Sequence, residues 1–513
     1  MGDMIVRGKY VVTDASKLPD DGWLVDGALL IRGDRIVAVD TYEQLRARHP
    51  QASEIGTAND IVVPGLINTH HHGWGLSSLQ LGIVDDFFEA WLPACWRMRV
   101  VNSYLDTLWA DLRNIRSGVT TLLHAGYGRD WGDYEGETRA KLRAHADSGI
   151  RAAYGVHIMN QNTFVYRDDT AFLSELPDGL ADAVRLAMGE MKLPTGADFF
   201  ALTQAMLDEY QDHSRITIMM APVAPQWCSD ELLRDVRDRA GEWGIGVHLH
   251  CLESPHQREY GRSTYGKSII KHLSELGLVG PQVSLGHAVW LTEEDMDICG
   301  GTGTSVCHNA SSNLRLRVGI LPATRLLGKG VNVSIGMDGL TINDDEDMLQ
   351  ELRLVAKLQG LPNHLAYSPC PSSSDVLAMG TVNGARTLGM PDRIGKLLPG
   401  YRADVTLIGG DRIAQPYLDR RIHFVDALLY RARATDVHTV LIDGAVVLKD
   451  GEFVQLAESE ILRALQESAA AEPPARVARW NELLAALLPH IRTFYEKREM
   501  TPVEAFYTVN SSI

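Results

Sequence analysis

Histidines and acidic residues stand at the ends of several short apolar segments, where they could bind a divalent metal ion. Imidazole nitrogens and carboxylate oxygens suit Zn²⁺, with Fe²⁺ as the alternative, and three imidazoles with one carboxylate leave a position open for water. Such an ion lowers the pKa of the water it binds toward about 7, which makes a nucleophile available at neutral pH. The residues concerned are His70, His72, His250, Glu253, His287 and Asp338.

The first pair lies in the run Thr69-His70-His71-His72, which follows an apolar segment at 61–68. Residues two apart in an extended strand project from the same face, so His70 and His72 point together while His71 points away. A chance polar cluster in a surface loop explains this pair equally well by itself. Its interpretation as half of a metal site therefore depends on the other segments.

The second segment ends in His248-Leu249-His250 and is followed by Glu253. His248 and His250 share a face, so periodicity cannot choose between them. The position nearer the carboxyl end of the strand favours His250, because the active sites of barrel enzymes form at that end. Glu253 lies past the strand end, where a turn can bring it over the mouth of the barrel.

His287 ends the apolar segment 283–287, and Asp338 follows the segment 331–337. For either residue alone, a solvent-facing position in a loop is the alternative. Polar side chains nevertheless end four different apolar segments. We therefore predict that they converge on one site.

Short apolar segments alternate with helical stretches through the middle of the chain, a pattern typical of parallel βαβ units. Helices are predicted at 105–117 and 344–359. The sequence thus predicts an α/β fold, a (β/α)₈ TIM barrel. Its eight candidate strands are 61–68, 120–124, 152–157, 216–221, 245–250, 283–287, 304–307 and 331–337.

Both ends of the chain contain short strands separated by tight-turn signals such as Gly33-Asp34 and Asp443-Gly444. We expect these segments to form one small discontinuous β-sandwich domain. The predicted boundaries are 1–62 and 391–457 for the two parts of the sandwich, 63–390 for the barrel and 458–513 for a helical extension on the outside.

The 513-residue chain carries a formal net charge of -17, which disfavours nucleic acid and anionic membrane surfaces as partners and favours a small-molecule substrate. No apolar run is long enough to span a membrane, and the first residues lack the pattern of a signal peptide. The six cysteines form no CxxC pair, so we expect free thiols in a reducing compartment. These features predict a cytoplasmic location.

The order and spacing of the motifs resemble those of the amidohydrolase superfamily. More narrowly, they resemble its deaminase and chlorohydrolase branch, which contains S-adenosylhomocysteine, guanine and cytosine deaminases and triazine hydrolases. The run Arg393-Ile-Gly-Lys-Leu-Leu-Pro-Gly400 extends the resemblance over nearly the whole chain. The motifs are Val63-Pro-Gly-Leu-Ile-Asn-Thr-His-His-His72, His250 with Glu253, His287, His308-Asn-Ala-Ser-Ser-Asn-Leu-Arg315 and Gly336-Met-Asp338.

The resemblance implies that His70, His72, His250 and Asp338 bind the metal. It implies proton handling and polarisation beside the metal for Glu253 and His287, with Asp338 accepting the proton of water. Relatives with two metals generally use a carboxylated lysine from the fourth strand, and the segment 216–227 contains no lysine. A single metal ion is therefore expected. Barrel relatives often form dimers or higher homo-oligomers.

Substrate recognition is expected from aromatic and amide side chains near the strand ends, since they suit stacking on a heterocycle and hydrogen bonding to its edge. Many relatives have Leu-Arg-Gly after the first histidines, whereas this chain has Leu79-Gln80-Leu81-Gly82. Packing in the core is the alternative role for the tryptophans, and bracing of a loop is the alternative for His308. The candidates are Trp74, Gln80, Gln226, Trp227 and His308.

The predicted function is hydrolytic deamination, in which an amino-substituted nitrogen heterocycle of purine, pterin, pyrimidine or triazine type loses ammonia. Ring opening of a cyclic amide and dechlorination of a triazine are alternatives on the same metal site. A non-catalytic scaffold is a more remote alternative, because such relatives have lost the ligands that this chain retains.

Overall fold

The computed structural model describes residues 2–96, 101–128, 132–190, 193–339, 345–360 and 370–501. Within these residues the strands form an eight-stranded parallel sheet and a nine-stranded mixed sheet. The first is the barrel, and the second is built from both ends of the chain. This arrangement confirms the predicted fold class.

The barrel strands follow one another in chain order around the sheet, as βαβ units require. Their faces are almost wholly buried, which is why they read as apolar runs rather than alternating ones. The backbone N–H of Asp338 donates to the carbonyl of His70 over 2.9 Å, so the last strand meets the first. The strands are β6 (Leu66–His71), β7 (Val119–Ala125), β8 (Arg151–Ile158), β9 (Ile216–Pro222), β10 (Val247–Cys251), β11 (Val283–His287), β12 (Ser305–His308) and β13 (Val333–Ile335).

The predicted first barrel strand, 61–68, is wrong as a single element. Its first half belongs to strand β5 (Asp60–Pro64) of the mixed sheet, and its second half begins barrel strand β6. The break falls at Gly65, where a Cβ would lie 2.0 Å from Oγ1 of Thr120. Only glycine permits this close approach, and an apolar run carries no signal of the change of sheet.

The mixed sheet joins the two ends of the chain into one β unit. Strand β5 pairs antiparallel with β14 (Val405–Gly409), so the amino-terminal and carboxyl-terminal strands share one hydrogen-bonded sheet. The predicted β domain, discontinuous in sequence, is thus confirmed. Its strands form one hydrogen-bonded sheet of nine strands within the described residues. Its other strands are β1 (Met4–Val12), β2 (Trp23–Arg32), β3 (Arg35–Thr41), β4 (Ser53–Ile55), β15 (Val437–Ile442), β16 (Ala445–Lys449) and β17 (Glu452–Phe453).

A buried arginine ties the barrel to this sheet. The guanidinium of Arg151, at the start of β8, donates to both carboxylate oxygens of Asp404 over 2.9 and 3.1 Å and to Asp443 over 2.5 Å. Arg151 is 2 % exposed. Because a buried charge is tolerated only with well-placed partners, this triad fixes the amino end of the barrel, opposite its mouth, against the hairpin of β15 and β16.

Helices connect and cover the strands, and the predicted helix at 105–117 begins two residues earlier and ends one residue earlier in the structure. The predicted helix at 344–359 is observed from Met348, and Asp344 lies outside the described residues. The helices of the amino-terminal half are α1 (Tyr42–Arg48), α2 (Phe88–Cys95), α3 (Ser103–Arg116), α4 (Tyr134–Ser148), α5 (Asp169–Leu173), α6 (Asp178–Glu190), α7 (Gly196–Tyr210) and α8 (Asp230–Trp243). The others are α9 (Pro255–Tyr260), α10 (Ile269–Glu275), α11 (Glu293–Thr302), α12 (Ala310–Arg315), α13 (Ala323–Gly328), α14 (Met348–Gln359), α15 (Ser373–Met379), α16 (Val382–Thr387), α17 (Gly410–Ala414), α18 (Phe424–Arg431), α19 (Glu458–Ala470) and α20 (Ala475–Glu496).

The carboxyl-terminal extension forms helices α19 and α20, which are separated around Pro473-Pro474. Helix α20 packs on α2. Its buried side chains, Leu484, Leu487, Ile491 and Tyr495, belong to the same apolar cluster as Phe88 and Trp91 of α2. The extension therefore contributes to the packing around the barrel mouth.

All six cysteines lie in the described part of the chain, and none forms a disulfide. None of the described helices combines the length and the apolar character needed to cross a membrane.

Candidate active site

His70 and His72 lie at the carboxyl end of β6 and face the barrel axis. Their Nε2 atoms lie 3.2 and 3.1 Å from Oδ1 of Asp338. His71 points the other way, with its Nε2 3.2 Å from a carboxylate oxygen of Glu346. The pairing of β6 with β7 shifts register between Asn68 and His71, which adjusts how the histidines meet the neighbouring strand.

The imidazoles of His72 and His250 face one another through nitrogen atoms that carry no hydrogen. Nδ1 of His72 lies 2.8 Å from the carbonyl of Ala125, and Nδ1 of His250 lies 2.7 Å from the carbonyl of Val223. A carbonyl only accepts, so each Nδ1 bears the hydrogen and each Nε2 presents a lone pair. The two Nε2 atoms are only 3.3 Å apart.

Two lone pairs at this distance repel unless a cation lies between them. Burial, reinforced by the neighbouring histidines, lowers the pKa of His250 well below its ordinary value, which favours its neutral ring. Ligand atoms of His70, His72 and His250, and of His70, His287 and Asp338, all lie within 4.8 Å of one another in each group. This nitrogen and oxygen donor set fits a divalent transition metal.

His248 supports His70 from below. Its Nε2 lies 2.7 Å from Nδ1 of His70, and its Nδ1 lies 2.7 Å from the hydroxyl of Ser284. This chain of hydrogen bonds fixes the ring of His70, and where Ser284 accepts, it places the hydrogen of His70 on Nδ1 and directs the lone pair of Nε2 toward Asp338. Burial lowers the pKa of His70 to about 4 although Asp338 favours its charged form.

Asp338 follows β13 and turns its carboxylate into the histidine cluster. Its φ of 63° is strained for a residue other than glycine, a strain of the kind that costs about 1–3 kcal/mol and persists at functional sites. Gly336 makes room for the turn, since a Cβ there would lie 2.6 Å from the Cβ of His70. The hydroxyl of Ser312 donates to Oδ2 of Asp338 over 2.6 Å. Burial opposes ionisation of Asp338, whereas the hydrogen bond from Ser312 favours its charged form.

Glu253 and His287 flank Asp338 on neighbouring strand ends. A carboxylate oxygen of Glu253 lies 3.8 Å from Nδ1 of His287, and Nε2 of His287 lies 3.8 Å from Oδ2 of Asp338. Glu253 is 1 % exposed, and its burial together with the charges of Asp338 and Glu89 raises its pKa well above the usual range. Glu253 is thus a carboxyl group suited to carrying a proton at neutral pH.

His287 is aimed by asparagines that follow β12. Nδ1 of His287 lies 2.9 Å from the amide oxygen of Asn313, and the amide nitrogen of Asn309 lies 3.3 Å from the ring. Because the Asn313 oxygen accepts, Nδ1 bears the hydrogen and Nε2 remains an acceptor. Burial lowers the pKa of His287, which keeps the ring neutral.

An enclosed pocket opens onto this cluster, and its floor contains His72, His250, Glu253, His287 and Asp338. Flat and apolar side chains form most of the remaining wall. They offer stacking surfaces on several sides of a planar ligand. They are Trp74, Phe88, Trp91, Leu92, Tyr127, Val223, Trp227 and Leu316.

Two of the five candidates for substrate recognition, Trp74 and Trp227, line this pocket. The structure does not bring the other three there. Gln80 is exposed, and its amide oxygen accepts from the backbone N–H of Ser77 in the same turn. Gln226 and His308 are fully buried outside the pocket lining. Their placement depends on turns after β9 and β12 that residue type does not reveal.

Several residues support the site although the sequence does not predict their roles. Ser312 and Asn313 lie in the motif 308–315, whose polar spacing is a usable signal. His248, the alternative to His250 by strand periodicity, lies beneath His70 instead. Gln257, which accepts from the backbone N–H of Glu253 over 2.9 Å, carried no signal in the sequence.

Comparison with known proteins agrees with this geometry. Residues 61–447 match the amidohydrolase family, and residues 27–52 match an imidazolonepropionase-like composite domain of bacteria. The chain is 32% identical to a 5'-deoxyadenosine deaminase of Methanosarcina barkeri over 476 residues, which cover 91% of this chain and 98% of the relative. It is 31% identical to a 5-methylthioadenosine/S-adenosylhomocysteine deaminase of Desulfitobacterium hafniense, with 88% of this chain and 95% of the relative covered.

A solved structure shows the same fold. The crystal structure of an adenosine deaminase of Xanthomonas campestris with bound zinc superposes with a TM-score of 0.75 at 25% identity, covering 91% of this chain and 97% of that one. The family match spans the barrel and the histidine cluster, and the relatives are covered almost completely. The chain therefore belongs to the amidohydrolase family and is a hydrolase that acts on carbon–nitrogen bonds.

Proposed function

We propose that this chain is a metal-dependent deaminase that releases ammonia from an amino-substituted nitrogen heterocycle. The observation that carries the proposal is the convergence of the Nε2 atoms of His70 and His72 on Asp338, with Nε2 of His250 3.3 Å from that of His72 and Glu253 in the same pocket. The deaminase names of the relatives agree with it.

His70, His72, His250 and Asp338 would hold one divalent ion, with Zn²⁺ as the first candidate and Fe²⁺ as the alternative. When bound, such an ion activates water and stabilises negative charge on oxygen. Strand β9 contains no lysine to bridge a second ion, which supports a site for one metal.

Asp338 and His287 would position and deprotonate the attacking water. The carboxylate of Asp338, to which the Ser312 hydroxyl donates, accepts a proton as the water oxygen bonds to the ring carbon. The acceptor Nε2 of His287 faces the same region and holds the second O–H of the water. Their fixed hydrogen bonds to Ser312 and Asn313 keep both groups aligned without reorganisation.

Glu253 would protonate the ring nitrogen next to the attacked carbon. Its raised pKa lets it carry the proton, and its place on the pocket floor brings it to the edge of a bound ring. The proton taken by Asp338 passes to the exocyclic amine, the carbon–nitrogen bond breaks, and ammonia leaves. The remaining hydroxyl proton returns to Glu253 as the carbonyl forms, so the product is the corresponding oxo-heterocycle and atoms and charge balance.

The aromatic wall supports a planar substrate of purine, pterin, pyrimidine or triazine type. Within this group we place 6-aminopurine compounds first, because the relatives named above are deaminases of adenosine derivatives. A cytoplasmic location and a homo-oligomeric state remain predictions of the sequence.

Metal analysis combined with an ammonia-release screen tests the proposal. The purified protein is loaded with Zn²⁺ or Fe²⁺ and offered aminopurines and their nucleosides, aminopterins, cytosine compounds and aminotriazines, together with a cyclic amide and a chlorotriazine. We expect ammonia from one amino-heterocycle class. Ring opening or chloride release without ammonia would show that the site catalyses one of the alternative reactions instead. A folded protein that binds no metal would favour the non-catalytic scaffold.

A matched pair of histidine variants controls the screen. His250→Ala removes an inward nitrogen and should abolish both metal binding and turnover. His438→Ala removes a histidine that pairs with Asp60 in the mixed sheet, with its Nε2 3.2 Å from the carboxylate, and should leave both intact. Equal metal content in the two variants would contradict the proposed site.

A further inference from the structure

Helix α2 forms one wall of the pocket and carries a buried carboxyl group that faces away from it. Phe88, Trp91 and Leu92 line the pocket, at the i, i+3 and i+4 spacing of one helix face. Glu89, on the neighbouring face, is only 4 % exposed. A carboxyl group is buried this deeply only where hydrogen bonds satisfy it, so its partners identify its role.

The partners of Glu89 belong to the turn that carries Glu253. The hydroxyl of Ser254, the residue directly after Glu253, donates to Oε1 of Glu89 in a short hydrogen bond. The hydroxyl of Tyr166 donates to the same oxygen over 3.2 Å. Ser254 also caps helix α9, accepting from the backbone N–H of Gln257 over 3.2 Å.

Gln257 closes the unit around Glu253. Its amide oxygen accepts from the backbone N–H of Glu253 over 2.9 Å, and its amide nitrogen lies 3.5 Å from Oε2 of Glu253. The side chain of Gln257, in the first turn of α9, therefore contacts both the backbone and the carboxyl group of Glu253. Ser254 fixes that turn against α2 through Glu89.

A third element braces the same group. The hydroxyl of Tyr495, on the carboxyl-terminal helix α20, accepts from the backbone N–H of Tyr166 over 3.1 Å. The ring of Tyr495 is buried and packs edge-on against the ring of Tyr166, with centroids 5.4 Å apart. Segments far apart in the chain thus meet at Glu89.

We propose that Glu89 is a positioning residue that fastens the pocket wall α2 to the turn of Glu253 and so sets the place from which Glu253 delivers its proton. This inference rests on the role given to Glu253 in the proposed function. Burial raises the pKa of Glu89 to about 7, although the hydroxyl donors of Ser254 and Tyr166 favour its ionised form. A shift of about 1 Å in a catalytic group can cost about 100-fold in rate, so a modest loosening of this turn is enough to be measured.

Two substitutions at Glu89 distinguish the effect of its hydrogen bonds from the effect of its side-chain volume. Glu89→Gln retains an oxygen that accepts from Ser254 and Tyr166, and its kcat should stay within about threefold of the wild type. Glu89→Leu keeps a similar volume without an acceptor, and its kcat should fall about 10- to 100-fold while KM changes by less than about threefold. Ser254→Ala should reproduce the loss, and Glu89→Leu combined with Ser254→Ala should be no worse than either change alone.

A buried acid and serine pair elsewhere provides the control. Ser268 donates to Asp295 at the start of α11, away from the pocket floor. Asp295→Leu should lower the melting temperature without changing kcat per folded molecule. If Glu89→Leu lowers kcat no more than Asp295→Leu, or acts on KM alone, the positioning role is wrong.

Hydrogen exchange tests the link without any substrate. In metal-loaded protein, Glu89→Leu should speed amide exchange both in α2 and in residues 253–260, whereas Glu89→Gln should leave both segments protected. Exchange that rises in α2 alone would overturn the inference. A wild type that releases no ammonia from any amino-heterocycle would count against the proposed function alone, because the exchange result does not depend on the reaction.

Discussion

Replacement of Asp338 by asparagine tests the centre of the proposed mechanism. The substitution preserves size and leaves an amide that the Ser312 hydroxyl can still contact, so the fold around it should persist. It removes the negative charge that lies 3.2 and 3.1 Å from Nε2 of His70 and His72. It also removes the group that accepts a proton from water, because an amide is too weak a base to do so.

The expected loss follows from that function. A positioned general base contributes about 10²- to 10⁴-fold, which corresponds to about 3–5 kcal/mol of transition-state stabilisation. The variant Ser312→Ala keeps the carboxylate and loses one hydrogen bond to it, whose worth is about 1.5–3 kcal/mol for a charged acceptor. We therefore expect Asp338→Asn to be more damaging than Ser312→Ala.

The assay is ammonia release at saturating substrate, with metal content measured on the same samples. Three histidines remain in Asp338→Asn, so the metal site can be reloaded with excess ion before the rates are compared at equal occupancy. Turnover of the loaded variant within about tenfold of the wild type would refute the role of Asp338 as proton acceptor. Loss that disappears on reloading would assign Asp338 to metal binding only.

Three further measurements follow from the structure. Chelation of the metal should lower the melting temperature and resupply should restore it, because an ion present at about 100 times its Kd stabilises the folded state by about 2.7 kcal/mol; equal melting temperatures would contradict the site. His248→Ala removes the partner of His70 and should weaken metal binding about 10- to 100-fold in a chelator competition, and unchanged affinity would show that His248 only packs. Burial raises the pKa of Glu351 to about 7, so the folded state keeps this proton after the unfolded chain releases it near its ordinary value. The unfolding free energy should therefore fall as pH rises toward 7, by up to about 3 kcal/mol from this group, and Glu351→Gln should flatten that slope in urea unfolding.

The grouping of the histidines with Asp338 could be predicted from the sequence because barrel geometry is regular. Strand alternation brought His70 and His72 to one face, and the shared carboxyl end of parallel strands predicted that His250, His287 and Asp338 would meet them. These relations depend only on periodicity and on which end of each strand a residue occupies. The structure places these five residues together. Their roles in binding and catalysis remain predictions for the variants above.

The residues of the pocket wall were harder to predict from the sequence because loops and added helices form that wall. Trp74 and Trp227 line the pocket, whereas Gln80 faces solvent and Gln226 and His308 are buried elsewhere. Backbone turns and packing around each residue decide these orientations, and residue type alone does not encode them.

The sequence by itself determined the parallel barrel, the discontinuous β domain and the strand ends that carry the histidines, because each follows from local hydrophobic periodicity. Only the tertiary structure decided that segment 61–68 divides between two sheets, that His248 supports His70 and that Glu89 meets Ser254. Each of these depends on contacts between residues far apart in the chain, such as Gly65 with Thr120 or Tyr166 with Tyr495. Such contacts arise from packing in three dimensions, and no local pattern records them.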